Sequence, residues 1–218
     1  MEELFRAKFG QSPEKIEPLT AAGSNRRYWR LSAAGVSAVG VKGTDAAENR
    51  AFIAFAKHFK TKGINVPEIF AVSDDGLSYL QEDLGDTSLF SCLSDREMVK
   101  KAVAALPAIQ VKGAEGLDFG VCYPVREFDG RSVMFDLNYF KYCFLKLCGL
   151  EFDEMLLQDD LENLCADLLK VPSDSFMYRD FQSRNVMVRD SQPWFIDFQG
   201  GRKGPLQYDL ASFVWQAK

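Results

Sequence analysis

The stretch Tyr178-Arg179-Asp180-Phe181-Gln182-Ser183-Arg184-Asn185-Val186-Met187-Val188-Arg189-Asp190-Ser191-Gln192-Pro193-Trp194-Phe195-Ile196-Asp197-Phe198-Gln199 decides how this chain is read. Val186–Val188 and Trp194–Ile196 are short apolar runs on either side of the polar segment Arg189–Pro193. The spacing predicts an antiparallel hairpin in which Val186 faces Ile196 and Val188 faces Trp194. One step outward, the same register opposes Asn185 and Asp197. Directly opposed residues have Cα atoms about 4.5–5.5 Å apart, so an amide and a carboxylate are expected together at the open end of a stiff hairpin.

Oxygen ligands of that kind suit Mg²⁺, which takes one or two carboxylates and completes its shell with phosphate and water. Asp180 lies five residues before Asn185 in the same loop. A loop carboxylate beside a metal–phosphate site is a candidate for accepting the proton of an attacking hydroxyl.

Outside this stretch the composition closes off other chemistry. The 218 residues carry 26 Lys and Arg against 31 Asp and Glu, a net charge of −5, which argues against a nucleic-acid partner. No apolar run approaches the length that spans a bilayer, and Met1-Glu2-Glu3-Leu4-Phe5-Arg6 is no signal peptide, so no membrane partner is expected. The 18 Phe residues provide core volume and rule out disorder. Five cysteines (Cys92, Cys122, Cys143, Cys148, Cys165) include no Cys-x-x-Cys pair, and four have apolar or aromatic neighbours. They read as buried free thiols of a reducing compartment, which points to the cytoplasm. The single histidine, His58, excludes a multi-imidazole zinc site and reads as a surface residue of a Lys-rich helix. Acid–base chemistry falls to carboxylates.

Two patterns divide the chain. Ile16–Thr20, Arg26–Ser32 and Val36–Lys42 read as strands, with Gly23-Ser24-Asn25 in the first turn. Thr44-Asp45 opens a helix, Glu48 lies in capping-box position, and Phe52, Phe55, Ala56 and Phe59 recur along one face. Ile69–Val72 and Leu77–Glu82 flank Asp75-Gly76 as a hairpin. This β-β-β-α-β-β region, residues 1–84, is followed across residues 85–218 by mainly helical periodicity in Arg96–Val111, Met134–Leu147 and Asp153–Leu169. In the last segment Leu157, Leu161, Leu164 and Leu168 form a stripe expected to be buried, with the acids of Glu151–Asp167 on a solvated face. The expected class is α+β, a β-rich first lobe with one helix joined to a helical second lobe. Gly35-x4-Gly40-Val41-Lys42 nearly spells a P-loop, but its Lys is one residue late and the strand–helix context is wrong.

Asp180-x4-Asn185, the hairpin and Asp197-Phe198 together resemble the catalytic and metal loops of the protein-kinase-like superfamily. Gln199 in place of a Gly, and Tyr208-Asp209-Leu210-Ala211 beyond it, are more similar to the aminoglycoside phosphotransferase and choline kinase branch. Within that branch, Arg179-Asp180-Phe181-Gln182-Ser183-Arg184-Asn185 with Ile196-Asp197-Phe198-Gln199-Gly200-Gly201-Arg202 resembles bacterial sugar kinases of the N-acetylmuramate/N-acetylglucosamine type.

The resemblance implies a two-lobe kinase fold and an ATP- and Mg²⁺-dependent transfer of the γ-phosphate to a hydroxyl of a small molecule, a sugar or amino sugar. Asp180 would deprotonate the acceptor, Arg179 would brace its loop, and Asn185 and Asp197 would hold the metal. Arg184 is left between a phosphate or substrate contact and none. Asp209 is expected to cap the last helix and steady the catalytic loop. Gly23, Ser24 and Asn25 would cover the ATP phosphates, and Lys42, in Val39-Gly40-Val41-Lys42, would hold them. Glu48 is either a helix-capping acid or the ion-pair partner of Lys42. Glu82-Asp83-Leu84 falls where a connector offers backbone hydrogen bonds to adenine. Relatives of this branch continue with helices that wall the acceptor pocket, whereas Asp209–Gln216 stops at Lys218, so the second lobe is expected to be truncated. The competing expectations are a nucleotide-binding regulatory module without catalysis, and a kinase of the aminoglycoside or choline type.

Overall fold

The computed structural model describes residues 1–20 and 25–215. Helix α1 (Glu2–Phe9) precedes strands β1 (Lys15–Leu19), β2 (Arg27–Ala33) and β3 (Val36–Lys42). Helix α2 (Ala46–Thr61) and strands β4 (Ile69–Val72) and β5 (Ser78–Glu82) complete the first lobe. These strands form one antiparallel sheet in the order β1-β2-β3-β5-β4. The element order of the sequence reading holds, with α1 added in front. Met1, Leu4, Phe5 and Phe9 carry its apolar face, but eight residues make a marginal helix without tertiary packing. That packing comes from the outer face of the sheet, where Phe5 is buried with Leu31, Ala33, Ala38 and Leu80.

The opposite face of the sheet receives α2. Asp45 caps the helix, accepting from Ala47 N at 2.7 Å, and Asn49 ties it to the β4–β5 hairpin by donating to Gly76 O and Leu77 O, each at 3.0 Å. Phe52, Phe55, Ala56 and Phe59 are buried as the periodicity predicts. They pack on the second lobe as well as on the sheet. Phe52 stacks on Phe198 with ring centroids 4.6 Å apart, and Phe55 and Phe59 meet Phe176 edge-on at 5.2 and 5.0 Å. One hydrophobic core therefore runs across the expected boundary at residue 84.

The second lobe contains α3 (Arg96–Pro107), α4 (Gly130–Phe140), α5 (Glu154–Leu168) and the short strands β6 (Ser175–Met177), β7 (Val186–Arg189), β8 (Gln192–Phe195) and β9 (Arg202–Gly204). It closes with α6 (Leu206–Val214). Strand β6 pairs with β9, and β7 with β8. No helix among the described residues is long and apolar enough to cross a membrane.

Three surface expectations fail. His58 is half-buried, its Nε2 on Gly113 O at 2.9 Å, because the loop after α3 folds over α2. All five cysteines are free, but Cys143 and Cys148 are exposed and only Cys165 is buried. In α5, Leu161 is buried while Leu164 and Leu168 are each 45% exposed, since little packs over that stripe.

The β7–β8 hairpin differs from its predicted register by one residue. Val186 faces Phe195 and Arg189 faces Gln192, so the turn is the two residues Asp190-Ser191 and not the segment 189–193. Both turn residues have positive φ, 51° and 56°, the conformation whose twist matches a two-residue hairpin. Asp-Ser lacks the glycine that announces this turn. Replacing Ser191→Gly relieves that conformation. It should raise unfolding stability by about 0.5–1 kcal/mol, the left-handed penalty less the glycine entropy cost. Urea denaturation reads the change, and a loss of stability would contradict this account of the turn.

Candidate active site

The Asp180 loop is held from beneath by one buried carboxylate. Asp209 Oδ2 accepts from Tyr178 N at 2.9 Å and from Gln110 Nε2 at 2.7 Å, while Oδ1 accepts from Arg179 N at 2.8 Å. Asp209 lies within α6, not at its cap, which Pro205 occupies. Burial pushes its carboxyl up to about 6, against three N–H donors that favour the charged form. The Tyr178 hydroxyl donates to Ile196 O and tethers the same loop to the end of the β7–β8 hairpin. Arg179 takes a left-handed backbone (φ 74°), and its guanidinium turns away from the cleft to Asp136 (2.9 and 3.3 Å), near the rings of Phe128 and Tyr208. The side chain thus acts as a brace.

These restraints leave the Asp180 carboxylate half-buried, with Gly200 so close that a Cβ there would lie 3.6 Å from Oδ2. Burial, and then the negative charge of Asp197, raise its pKa above the ordinary carboxylate value. Asn185 Nδ2 donates to Asp180 O at 2.9 Å, which ties the two ends of the loop together.

Asn185 is opposite Ile196, whose N–H it accepts at 3.0 Å, and not opposite Asp197. Asp197 is nevertheless returned to Asn185's side of the hairpin end, because its backbone turns left-handed (φ 65°). Both side chains line a cleft of about 570 Å³ between the sheet and the second lobe. Gln199 joins them, donating Nε2 to Asp197 Oδ1 at 2.8 Å while its Oε1 is buried without a hydrogen-bond partner. One carboxylate and two amides, one of them with an orphaned oxygen, fit a hard cation that takes its remaining ligands from phosphate and water. Among the described residues no three His, Cys, Asp or Glu side chains converge on a metal position.

On the sheet side the expected residues are redistributed. Lys42 does not face the cleft. Val39 and Val41 point into the core beneath α2, so Lys42, of opposite parity, lies with Ala38 and Gly40 on the other face of the sheet and is exposed. Glu48 pairs instead with Arg26, Oε1 to a terminal guanidinium nitrogen at 3.4 Å, and Arg26 lines the cleft. Gly23 and Ser24 lie outside the described residues. Asn25 is exposed at the end of that segment.

Glu82, Asp83 and Leu84 all border the cleft, but Glu82 is engaged: its N–H donates to Glu68 O at 2.8 Å and its carboxylate binds Lys60 and Arg189. Asp83 is held by a forked pair from Arg30, at 2.7 and 3.0 Å, so the connector is anchored to β2. Leu84 is buried at the cleft wall. Arg184 lines the cleft from the second lobe, 5.0 Å from the centre of the Phe90 ring.

Sequence reasoning missed Arg26, Gln199 and Asp136 as parts of this site. Only Arg26 left a readable signal, the every-second-residue run Arg26, Tyr28, Arg30 on one face of a strand.

A profile of the phosphotransferase enzyme family matches residues 15–217. An N-acetylmuramate/N-acetylglucosamine kinase of Neisseria meningitidis serogroup B is 26% identical over 223 residues, covering 94% of this chain and 63% of the relative. The kinase of the same name from Pseudomonas aeruginosa is 27% identical over 218 residues, covering 95% and 62%. The chain thus spans less than two thirds of the length of these curated relatives. Among solved structures, a thermostable mutant of aminoglycoside phosphotransferase APH(4)-Ia in its apo form superposes with TM-score 0.67 at 16% identity, over 97% of this chain and 75% of that one. Choline kinase from Cryptosporidium parvum Iowa II gives 0.63 at 12% identity, over 91% and 62%. These likenesses show the kinase-like two-lobe fold.

Removing the clamp tests its part in the loop. Asp209→Ala leaves the N–H groups of Tyr178 and Arg179 and the Gln110 amide without their acceptor. It should cost about 2–4 kcal/mol in urea unfolding. A cost below about 0.5 kcal/mol, the range of ordinary surface substitutions, would refute the clamp.

Proposed function

We propose that this chain, which belongs to the phosphotransferase enzyme family, transfers the γ-phosphate of ATP to a hydroxyl group of a sugar or amino sugar. The observation that carries the reading is the set of Asn185, Asp197 and the unpartnered Gln199 oxygen on the cleft lining, with the Asp180 loop tied to Asn185 through the Asp180 backbone oxygen. The cleft volume lies within the range of small-molecule and cofactor sites, and its apolar walls Leu19, Val39, Leu84 and Ile196 suit a purine ring.

Asn185 and Asp197, with Gln199, would hold Mg²⁺ on the phosphates, and the ion supplies charge neutralisation when bound. Asp180 accepts the acceptor's hydroxyl proton as that oxygen bonds to the γ-phosphorus and the bond to the β–γ bridging oxygen breaks, with ADP leaving. Burial and the neighbouring Asp197 charge raise its pKa, which makes it a stronger base than an exposed aspartate. Arg179 and Asp209 hold the Asp180 backbone, so the base meets the acceptor in one orientation. The preference for a sugar acceptor rests on the curated relatives' names and on the Arg179–Asn185 and Ile196–Arg202 motifs.

Asp180→Asn should lower acceptor-dependent ADP release by about 10²–10⁴-fold, the share of a general base, while calorimetric ATP affinity stays within about twofold. Full turnover by that variant with N-acetylglucosamine or N-acetylmuramic acid would refute the mechanism. If the wild type binds ATP with Mg²⁺ but turns over none of an amino-sugar, aminoglycoside and choline panel, a nucleotide-binding module replaces the enzyme reading. Asp197→Asn should abolish the gain in ATP affinity that Mg²⁺ gives the wild type, seen by titrating each protein with and without the metal.

A further inference from the structure

Four negative charges on a triphosphate must enter a cleft already lined by Glu82, Asp83, Asp86 and Asp197. A hard cation between Asn185 and Asp197 offsets part of that charge from the second lobe. The sheet must supply a cation too, and its position is set by strand parity. Tyr28 pairs with Val41 and Arg30 with Val39, and these four residues share the face that looks onto α2 and the cleft. Arg26 precedes β2 by one residue with the same parity. Arg27 is opposite Lys42 in the ladder, so both belong to the other face and both are exposed.

We propose that Arg26, and not Lys42, is the residue that grips the nucleotide phosphates from the sheet, with Glu48 as its positioning residue. The assignment rests on the kinase reading of the cleft. Arg26 immediately precedes β2, and its side chain is only 2% exposed, at the cleft wall. Glu48 reaches it from the first turn of α2 at 3.4 Å, and the Tyr28 hydroxyl also bonds it. Arg26, Tyr28 and Tyr79 line the same cleft as Asn185 and Asp197, and Tyr79 stacks on Phe52, whose other partner Phe198 directly follows Asp197.

Two other cations, Arg30 and Arg184, line the cleft. Arg30 forks onto Asp83 and reaches Asp86, and Arg184 comes from the second lobe. An arginine suits the position because its planar fork can serve a carboxylate and a phosphate together and cannot lose its charge by burial. Glu48 on α2 then couples the phosphate grip to the helix whose Phe52 stacks on Phe198, next to Asp197.

Calorimetry of the full chain with adenosine, ADP and ATP–Mg²⁺ separates phosphate grip from adenine binding. Arg26→Gln should weaken ADP and ATP binding by about 10–100-fold, the value of a charge-assisted contact, with adenosine changed by less than about twofold. Lys42→Ala should leave all three within about twofold. If Arg26→Gln does not fold, Glu48→Gln serves in its place, with ATP affinity reduced about 3–10-fold and adenosine unchanged. ATP affinity retained in the Arg26 variant, or in the Glu48 variant used in its place, overturns the assignment. So does a loss in Lys42→Ala, or an equal loss for adenosine and ADP. A wild type that binds adenosine and ATP–Mg²⁺ equally refutes the phosphate grip. A wild type that binds no nucleotide overturns the kinase reading itself, and the Arg26 assignment falls with it.

Discussion

The stack of Phe52 on Phe198, with rings 4.6 Å apart and nearly parallel, is the contact on which the two halves of the molecule depend. Phe52 also stacks on Tyr79 of the central sheet at 5.5 Å, and Phe198 meets Phe59 and Tyr178 edge-on at 5.5 and 6.1 Å. Each such pair contributes about 0.5–1.5 kcal/mol beyond the area it buries. More important is where the stack lies. Phe198 follows Asp197 directly, and Tyr178 precedes the Arg179-Asp180 dipeptide. The rings that join the lobes therefore also set the chemical groups, and a shift of α2 would move the floor of the cleft.

A second constraint is polar and lies under the first. Asp209 accepts two successive backbone N–H groups, which forces the chain at Tyr178 and Arg179 into one path. Arg179 and Asp197 both pay for left-handed backbone, about 1–2 kcal/mol each for residues with a Cβ. The surroundings impose it: the Asp136 fork on Arg179, and the Phe198 ring locked next to Asp197. Such strain tends to gather where a site must be preorganised. The elevated pKa of Asp180 follows from the same enclosure, since the groups that position it also exclude water.

Much of this was readable from the chain. The turn and cap residues announced the strand order of the first lobe and helix α2, and the 3.6-residue recurrence of Phe52, Phe55 and Phe59 named the face that is buried. The grouping of Asp180, Asn185 and Asp197 was also legible, although the hairpin register behind it was off by one. Two compensating features hid the slip. The real turn, Asp190-Ser191, is shorter than the polar segment suggests, and the left-handed bend at Asp197 restores the side chain to the cleft. Helix α1 went unread because its stability comes from the sheet it covers, and the exposure of Leu164 and Leu168 depends on what packs over α5.

The sequence by itself determined the two-lobe order and brought Asn185 and Asp197 to one end of a hairpin, because turn chemistry, periodicity and motif spacing are local properties. Which face of a strand a side chain occupies was decided only by tertiary structure. Val39-Gly40-Val41-Lys42 has apolar residues at alternate positions, and either set could have faced inward. The choice fell to α2, whose aromatic face buries Val39 and Val41, while α1 closes on Leu31 and Ala38 behind them. With a side-chain period of two, that choice sends Lys42 out to solvent and Arg26 into the cleft.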